Sequence, residues 1–127
     1  MQSILGKHQD KIFALMRIVV GFLFLCHGAQ KLFGVFGGQT QPLLSMMGAA
    51  GLIEFIGGLL VMVGLFSNLA AFICSGQMAV AYFMYHFPKG WIPISNGGEL
   101  AALYCWVFLF ISAYPARTWS LDSLKRK

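Results

Sequence analysis

The chain has 127 residues, of which 58% are hydrophobic, 15% aromatic and only 10% charged, whereas a soluble domain carries about 25% charged residues. Its mean hydropathy is +0.74, and its length suits one compact unit, since domains commonly run about 100–150 residues, so residues 1–127 are read as a single domain. The net charge of +5 gathers near the ends of apolar runs, which makes it a topology signal and an attraction to anionic lipid head groups; nucleic-acid binding is excluded.

A bilayer core requires a helical run of roughly 17–25 apolar residues, and four stretches fit. The first covers about 12–34. Lys7 and Lys11 precede it like the basic flank of a secretory signal, but the run is too long for one, contains Arg17 and is followed by three more spans, so it is read as a retained anchor. The second covers 47–66, the third 69–87 and the fourth 99–114, the last short enough that Glu99 lies at its mouth. The runs are continuous and not alternating, which favours helices over barrel strands, because a lipid-facing backbone satisfies its hydrogen bonds within each segment. The expected fold is all-α, a polytopic membrane four-helix bundle.

Lys7, Lys11, Arg17, Arg117, Lys125, Arg126 and Lys127 fall on the side that holds both ends of the chain, leaving Lys31 and Lys89 for the other. By the positive-inside rule both termini are expected in the cytoplasm. The turn Phe66-Ser67-Asn68-Leu69 is then inside, and the segments around Gly37-Gly38 and from Pro88 to Gly98 are outside, the latter able to cap the bundle.

In this arrangement Glu54, Glu99, His27, His86 and Lys31 fall towards one membrane face, and intramembrane ionisable groups are functional-site candidates by default. At about 1.5 Å per residue, His27 and Glu54 are each about seven residues below the outer end of their spans, so they share a depth. Arg17, Gly21, Phe24, Gly28 and Lys31 repeat at steps of four and three, placing them on one stripe flanked by His27 and Gln30. Gly51, Glu54 and Gly58 share a face in the same way, and small residues let neighbouring backbones approach closely, so spans one and two are expected to pack together.

Glu54 has two readings. A central charge costs roughly 2.5–3.5 kcal/mol and neutralising a glutamate at pH 7 about 3.7 kcal/mol, so an unpartnered Glu54 would hover between protonation states. A partner, Lys31 or Arg17, would hold it ionised as a structural ion pair fixing the register of spans one and two. Alternatively Glu54, with His27, exchanges protons with a bound ligand. Paired histidines invite a haem or metal reading, but no H-E-x-x-H or Glu-x-x-His arrangement exists, so no metal ligand set is assigned and haem is disfavoured. His27 reads as a hydrogen-bonded interior group and His86 as an interfacial residue. Cys26, Cys74 and Cys105 form no Cys-x-x-Cys pair, which disfavours thiol exchange and leaves apolar packing. Tyr82, Tyr85, Trp91, Tyr104 and Trp106 read as an interfacial aromatic belt.

The sequence Arg17-Ile-Val-Val-Gly-Phe-Leu-Phe-Leu-Cys-His-Gly-Ala-Gln-Lys-Leu-Phe-Gly, then Gly51-Leu-Ile-Glu-Phe-Ile-Gly-Gly-Leu-Leu with Gly64-Leu-Phe, then Asn96-Gly-Gly-Glu, resembles the DoxX family of small bacterial four-span membrane proteins. The likeness covers nearly the whole chain. It implies an inner-membrane location and a redox setting, because the family name is shared with a subunit of thiosulfate:quinone oxidoreductase and relatives are encoded near oxidoreductases. Fold analogy alone does not assign a reaction.

Three functional classes follow. In the first, the chain is the membrane subunit of a quinone-linked oxidoreductase system. Gln30, Lys31, His86, Asn96 and Glu99 are then candidate quinone-binding residues, Glu54 and His27 the candidate proton-exchanging pair, and Arg17, Lys31 and Glu54 the ion-pairing set. No flavin, iron–sulfur or dinucleotide motif is present, so quinone is the cofactor implied and a partner oxidoreductase supplies electrons. In the second class the chain is a non-catalytic scaffold or assembly factor for a redox protein. In the third it transports a small solute or protons, which four spans without an evident inverted repeat make less suitable unless the chain forms a homo-oligomer.

Overall fold

A computed structural model describes residues 3–124; Lys125, Arg126 and Lys127, counted above for orientation, lie outside them. The described residues are helical with no strand. A 3₁₀ turn (Gly6–His8) leads into α1 (Gln9–Phe33), followed by α2 (Met46–Val63), α3 (Ser67–Ala81), a π-helical turn (Tyr82–His86), a 3₁₀ turn (Phe87–Lys89), a short α4 (Pro93–Asn96), α5 (Glu99–Ala113) and a final turn α6 (Leu121–Leu124). α1 packs along α2, α5 packs along α3, and α2 also meets α3.

The first pair is welded by glycine. A Cβ on Gly28 would overlap the backbone of Phe55, and one on Gly21 would stand 2.6 Å from the Met62 nitrogen and 2.7 Å from the Gly58 oxygen. Gly51 and Gly58 answer from α2, the former against the Lys31 stem and the latter against the Leu25 backbone. The predicted stripes therefore face each other at backbone contact. Between the pairs lies an apolar core of Phe24, Val61, Ala71, Cys74, Phe108 and Ile111, with the Phe24 and Phe108 ring centroids 4.7 Å apart.

The distribution of polarity is inverted relative to a water-soluble domain. Arg17, Glu54, Ser67, Ser75 and Asn96 are buried, while Phe22, Phe72, Ile73, Leu103, Trp106 and Phe110 are exposed. So much contiguous apolar surface marks an interaction with something other than water. Two helices are by themselves long and apolar enough to cross a bilayer, Gly6–Phe33 and Met46–Val63; Glu99–Ala113 is a shorter apolar helix. The expectation of four full-length spans is thus met in helix length by two. The third run turns π-helical at Tyr82, with Phe87 N–H donating five residues back to the Tyr82 carbonyl, just before Pro88, which lacks a backbone donor. The fourth helix begins only after Gly97 (φ 78°) and Gly98.

The end of the fold that carries both the N-terminal turn and the C-terminal segment is tied together by Arg17, whose side chain is fully buried. Its Nη1 donates to the Val61 carbonyl at 3.0 Å and its Nη2 to the Trp119 carbonyl at 2.6 Å. Gly64 makes room for it: φ is +72°, and a Cβ there would overlap both the guanidinium and Ser120. Asp122 of α6 then caps α3, accepting from Phe66 N at 2.8 Å and from Ser67 N and Ser67 Oγ at 3.0 Å each. Consequently the turn falls at Gly64–Phe66, and Ser67-Asn68-Leu69, predicted as part of it, already belong to α3. Asn68 instead closes α5, donating to the carbonyls of Ile111 (2.9 Å) and Tyr114 (2.8 Å).

Candidate functional site

At the opposite end the helices part and leave a cavity of about 620 Å³ bordered by α1, α2, α3, the π-helical turn and α5. Ligand cavities commonly enclose about 300–1,000 Å³. Its polar floor is built from three helices. Lys31 sits in the last turn of α1, where the helix dipole favours a cation. Its stem crosses Gly51, whose missing Cβ would lie 2.9 Å from Lys31 Cβ, and its Nζ reaches Glu54 Oε1 at 2.6 Å, one turn further along α2. The Glu54 carboxylate is only 2% exposed, whereas the lysine side chain keeps 21%. Gly57 brings α3 close, since a Cβ there would meet Cys74 Sγ at 2.5 Å, and that approach carries Gln77 Nε2 to 3.0 Å from Glu54 Oε2. Both carboxylate oxygens are therefore engaged, and the nearby charges of Lys31 and Glu54 cancel.

His27 lies one turn before Lys31, lines the same cavity and meets Tyr104 edge-on, with ring centroids 5.8 Å apart and an interplanar angle of 88°. His86 borders the cavity from the π-helical turn and has its Nδ1 3.3 Å from the Asn96 carbonyl oxygen. The mouth is bordered by Met46 and Met47 of α2, Val80 of α3, Met84 of the π-helical turn and Leu100 of α5, which line the cavity while remaining exposed. The Tyr85 hydroxyl donates to Met46 Sδ at 3.1 Å across it.

The structure thus brings together His27, Lys31, Glu54 and His86. It separates four others. Arg17 is not a partner of Glu54, because its donors are committed to carbonyls at the far end of α2. Gln30 turns outward and donates to the Phe36 carbonyl at 2.8 Å. Asn96 organises the outer cap: Oδ1 accepts from Gly98 N at 2.8 Å, while Nδ2 donates to Gly90 O at 2.9 Å and to Tyr82 Oη at 3.1 Å. Glu99, at the first position of α5, is exposed and does not border the cavity. Gln77 is the cavity-lining member of this cluster that sequence reasoning missed. The signal was an amide side chain inside an apolar run, a group that needs a partner when removed from water. The cysteines are all free, and among the described residues no group of His, Cys, Asp and Glu is arranged to hold a metal ion.

The family model DoxX matches residues 12–87, which include α2, α3 and the cavity-lining parts of α1 and the π-helical turn. A protein of Haemophilus influenzae (strain Rd), described as uncharacterized, is 40% identical over 126 residues, an overlap of 94% of each chain. No solved structure matches the chain. Sequence landmarks and matched region agree, and the chain belongs to the DoxX family of small bacterial membrane proteins.

Proposed function

We propose that this protein is a multi-pass component of the bacterial inner membrane with both ends in the cytoplasm, and that its cavity holds the head group of a quinone in a redox system whose electrons come from a partner oxidoreductase. The observation that carries this reading is a Lys31–Glu54 ion pair at the floor of an apolar-walled cavity. A lipid-soluble ring needs apolar walls for its body and a few fixed polar groups for its oxygens, and this cavity combines the two. The Lys31 ammonium has three N–H groups, one of them directed at Glu54, so it can also donate to a ligand oxygen, as can His27. Methionines border the mouth, and their flexible thioethers adapt to an apolar chain. Since it opens among exposed apolar side chains, a ligand would arrive through the lipid.

The same geometry supports the proposed orientation. Tyr114 Oη donates to Asp10 at 2.8 Å and Arg17 holds Trp119, so the start of α1 and the segment after α5 share one end. Lys7, Lys11, Arg17 and Arg117 gather there, and the cavity lies at the other end, towards the outer leaflet.

The test is a visible spectrum with quantitative quinone extraction on protein gently purified from its native membrane, beside Glu54→Gln. Stoichiometric quinone in the native protein and its loss from a still-folded variant is the expected result. A colourless, quinone-free native preparation overturns the reading and favours the scaffold class, in which the same polar cluster only fixes helix register.

A further inference from the structure

Two buried side-chain polar atoms among the described residues lack a hydrogen-bond partner: Arg17 Nε and Gln77 Oε1. The first is enclosed by the clamp at the opposite end of the fold, where its guanidinium already makes four carbonyl contacts. The second belongs to a residue that borders the cavity. Buried acceptors in native proteins are nearly always satisfied, so an orphaned one beside a cavity calls for a missing donor.

The orientation of the Gln77 amide is dictated by its neighbour. Its Nε2 donates to Glu54 Oε2 at 3.0 Å, and turning the amide over would set its carbonyl against a carboxylate oxygen. The unpaired atom is therefore an acceptor. The cationic donor of the same cluster is engaged by the other carboxylate oxygen: Lys31 Nζ is 2.6 Å from Glu54 Oε1.

From this we infer that the cavity selects a head group bearing a hydroxyl, so that of a quinone and its reduced quinol it holds the quinol. The inference rests on the quinone-linked reading for its ligand class. A quinone ring offers carbonyl oxygens alone: they accept from Lys31 or His27 but leave Gln77 Oε1 unsatisfied. A phenolic hydroxyl does both, donating its proton to Gln77 while its oxygen lone pairs accept from a cationic or imidazole donor. Sites built to hydrogen-bond a hydroxyl reject analogues that lack it far more strongly than apolar pockets reject an added methylene, because the protein's own polar group is then stranded.

The test compares two ligand pairs by titration calorimetry on the purified protein in lipid nanodiscs. The first pair is a decyl-substituted benzoquinol and its oxidised quinone, kept anaerobic. The second is redox-inert, a 4-alkylphenol and its methyl ether, in which a methyl group replaces the donated proton. In each pair the hydroxyl-bearing member is expected to bind about tenfold more tightly or better, and the midpoint potential of the bound quinone couple to rise by about 30 mV for each factor of ten. Gln77→Leu is expected to bring both ratios close to one. Should that variant fail to fold, the two ratios in the native protein decide by themselves. Equal affinities within both pairs overturn the inference, meaning that a water satisfies Gln77, and leave the quinone-linked reading standing. A preference for the phenol with no binding of quinol or quinone supports the hydroxyl selectivity and overturns the quinone reading. No binding by any of the four overturns both.

Discussion

Lys31 and Glu54 form one ion pair but stand in unequal surroundings, and that asymmetry sets what each contributes. Glu54 is almost completely enclosed, whereas a fifth of the lysine side chain stays exposed at the outer end of α1. Lys31→Met leaves a carboxylate in an apolar interior with only Gln77 to hold it. Removing one partner of a buried pair costs about 3–5 kcal/mol, and this substitution is expected near the lower bound because the Gln77 amide still donates to the carboxylate. Glu54→Gln leaves a lysine whose long stem lets the ammonium turn outward to water, so its loss is expected nearer 1 kcal/mol. Replacing both, as Lys31→Met with Glu54→Leu, is expected to recover much of the larger loss. Thermal unfolding in one fixed detergent measures all three, and equal losses for the two single variants would show that the pair's surroundings are not as unequal as their exposures indicate. The pair was legible in the sequence as one of two options, because Lys31 and Glu54 lie on glycine stripes and Lys31 follows by one turn the His27 that shares the depth of Glu54, while Arg17 on the same stripe was the other candidate. Gln77 was not, because an uncharged amide beside Ser75 and Gly76 resembles any polar interruption until the partner it faces is known. Arg17 was misassigned because its stripe is shared with Lys31 along α1, and only the return of the distant segment around Trp119 shows which carbonyls it serves.

Among the elements, α1 and α2 owe their spacing to glycine, and the same residue type plays opposite parts within the chain. A methyl group at Gly28 would collide with the backbone of Phe55 and with the Gly51 oxygen at 2.8 Å; backbone cannot rotate away as a side chain can, so the helices must separate. Gly28→Ala is therefore expected to lower stability by about 1–3 kcal/mol and, by shifting the register of Lys31 against Glu54, to weaken ligand retention. Gly76 of α3 has open space where its Cβ would be, and Gly76→Ala is expected to be neutral or to stabilise by up to about 1 kcal/mol through helix propensity. Parallel melting curves check the contrast, and a Gly28→Ala protein as stable as the parent would rule out tight backbone packing between α1 and α2. The approximate extents of these helices were legible: α1 starts at Gln9 where 12 was expected, and α2 ends at Val63 where 66 was expected. What hydropathy could not convey is the π-helical turn. Tyr82–His86 has an ordinary helical composition, and the widened hydrogen-bond spacing depends on Pro88 ahead and on Gly98 packed against Tyr82 and His86, where a Cβ would come within 2.8 Å of both. That turn carries His86 and Tyr85 to the cavity, and π-turns of this kind recur at functional sites.

For the molecule as a whole, the decisive feature is that one end is closed and the other is open. The closed end combines the Arg17 clamp, the Asp122 cap on α3 and the Asn68 cap on α5, so the segment from Thr118 to Asp122 acts as a strap joining α1 to the start of α3. Sequence position gave no hint of this, since a short polar segment following the last apolar run reads as a tail. The open end carries the cavity, and among the described residues Lys31 and Lys89 are the lysines there, with no arginine. A charge difference of this kind orients a chain during insertion, because cytoplasmic segments retain their lysines and arginines. The clamp and the caps bring the two ends of the described fold together, which accords with the proposed even number of crossings, although α3 and α5 are short: fifteen residues each, about 22 Å of helix against a hydrocarbon core of about 30 Å. In the proposed topology the π-helical and 3₁₀ turns beyond α3 and the segment before α5 would supply the remaining depth at the open end, where backbone lining a cavity is tolerated. A fluorescent protein fused after Lys127 is accordingly expected to mature and fluoresce, and alkaline phosphatase fused at the same point to stay inactive. Alkaline phosphatase inserted at Gly37-Gly38 is expected to be active. An active phosphatase at the C-terminus with an inactive one at Gly37-Gly38 would reverse the orientation and put the cavity on the cytoplasmic side, while activity at neither position would mean that α1 does not cross, and an inactive phosphatase inserted at Gly90, between α3 and α5, would mean that the shorter helices do not cross.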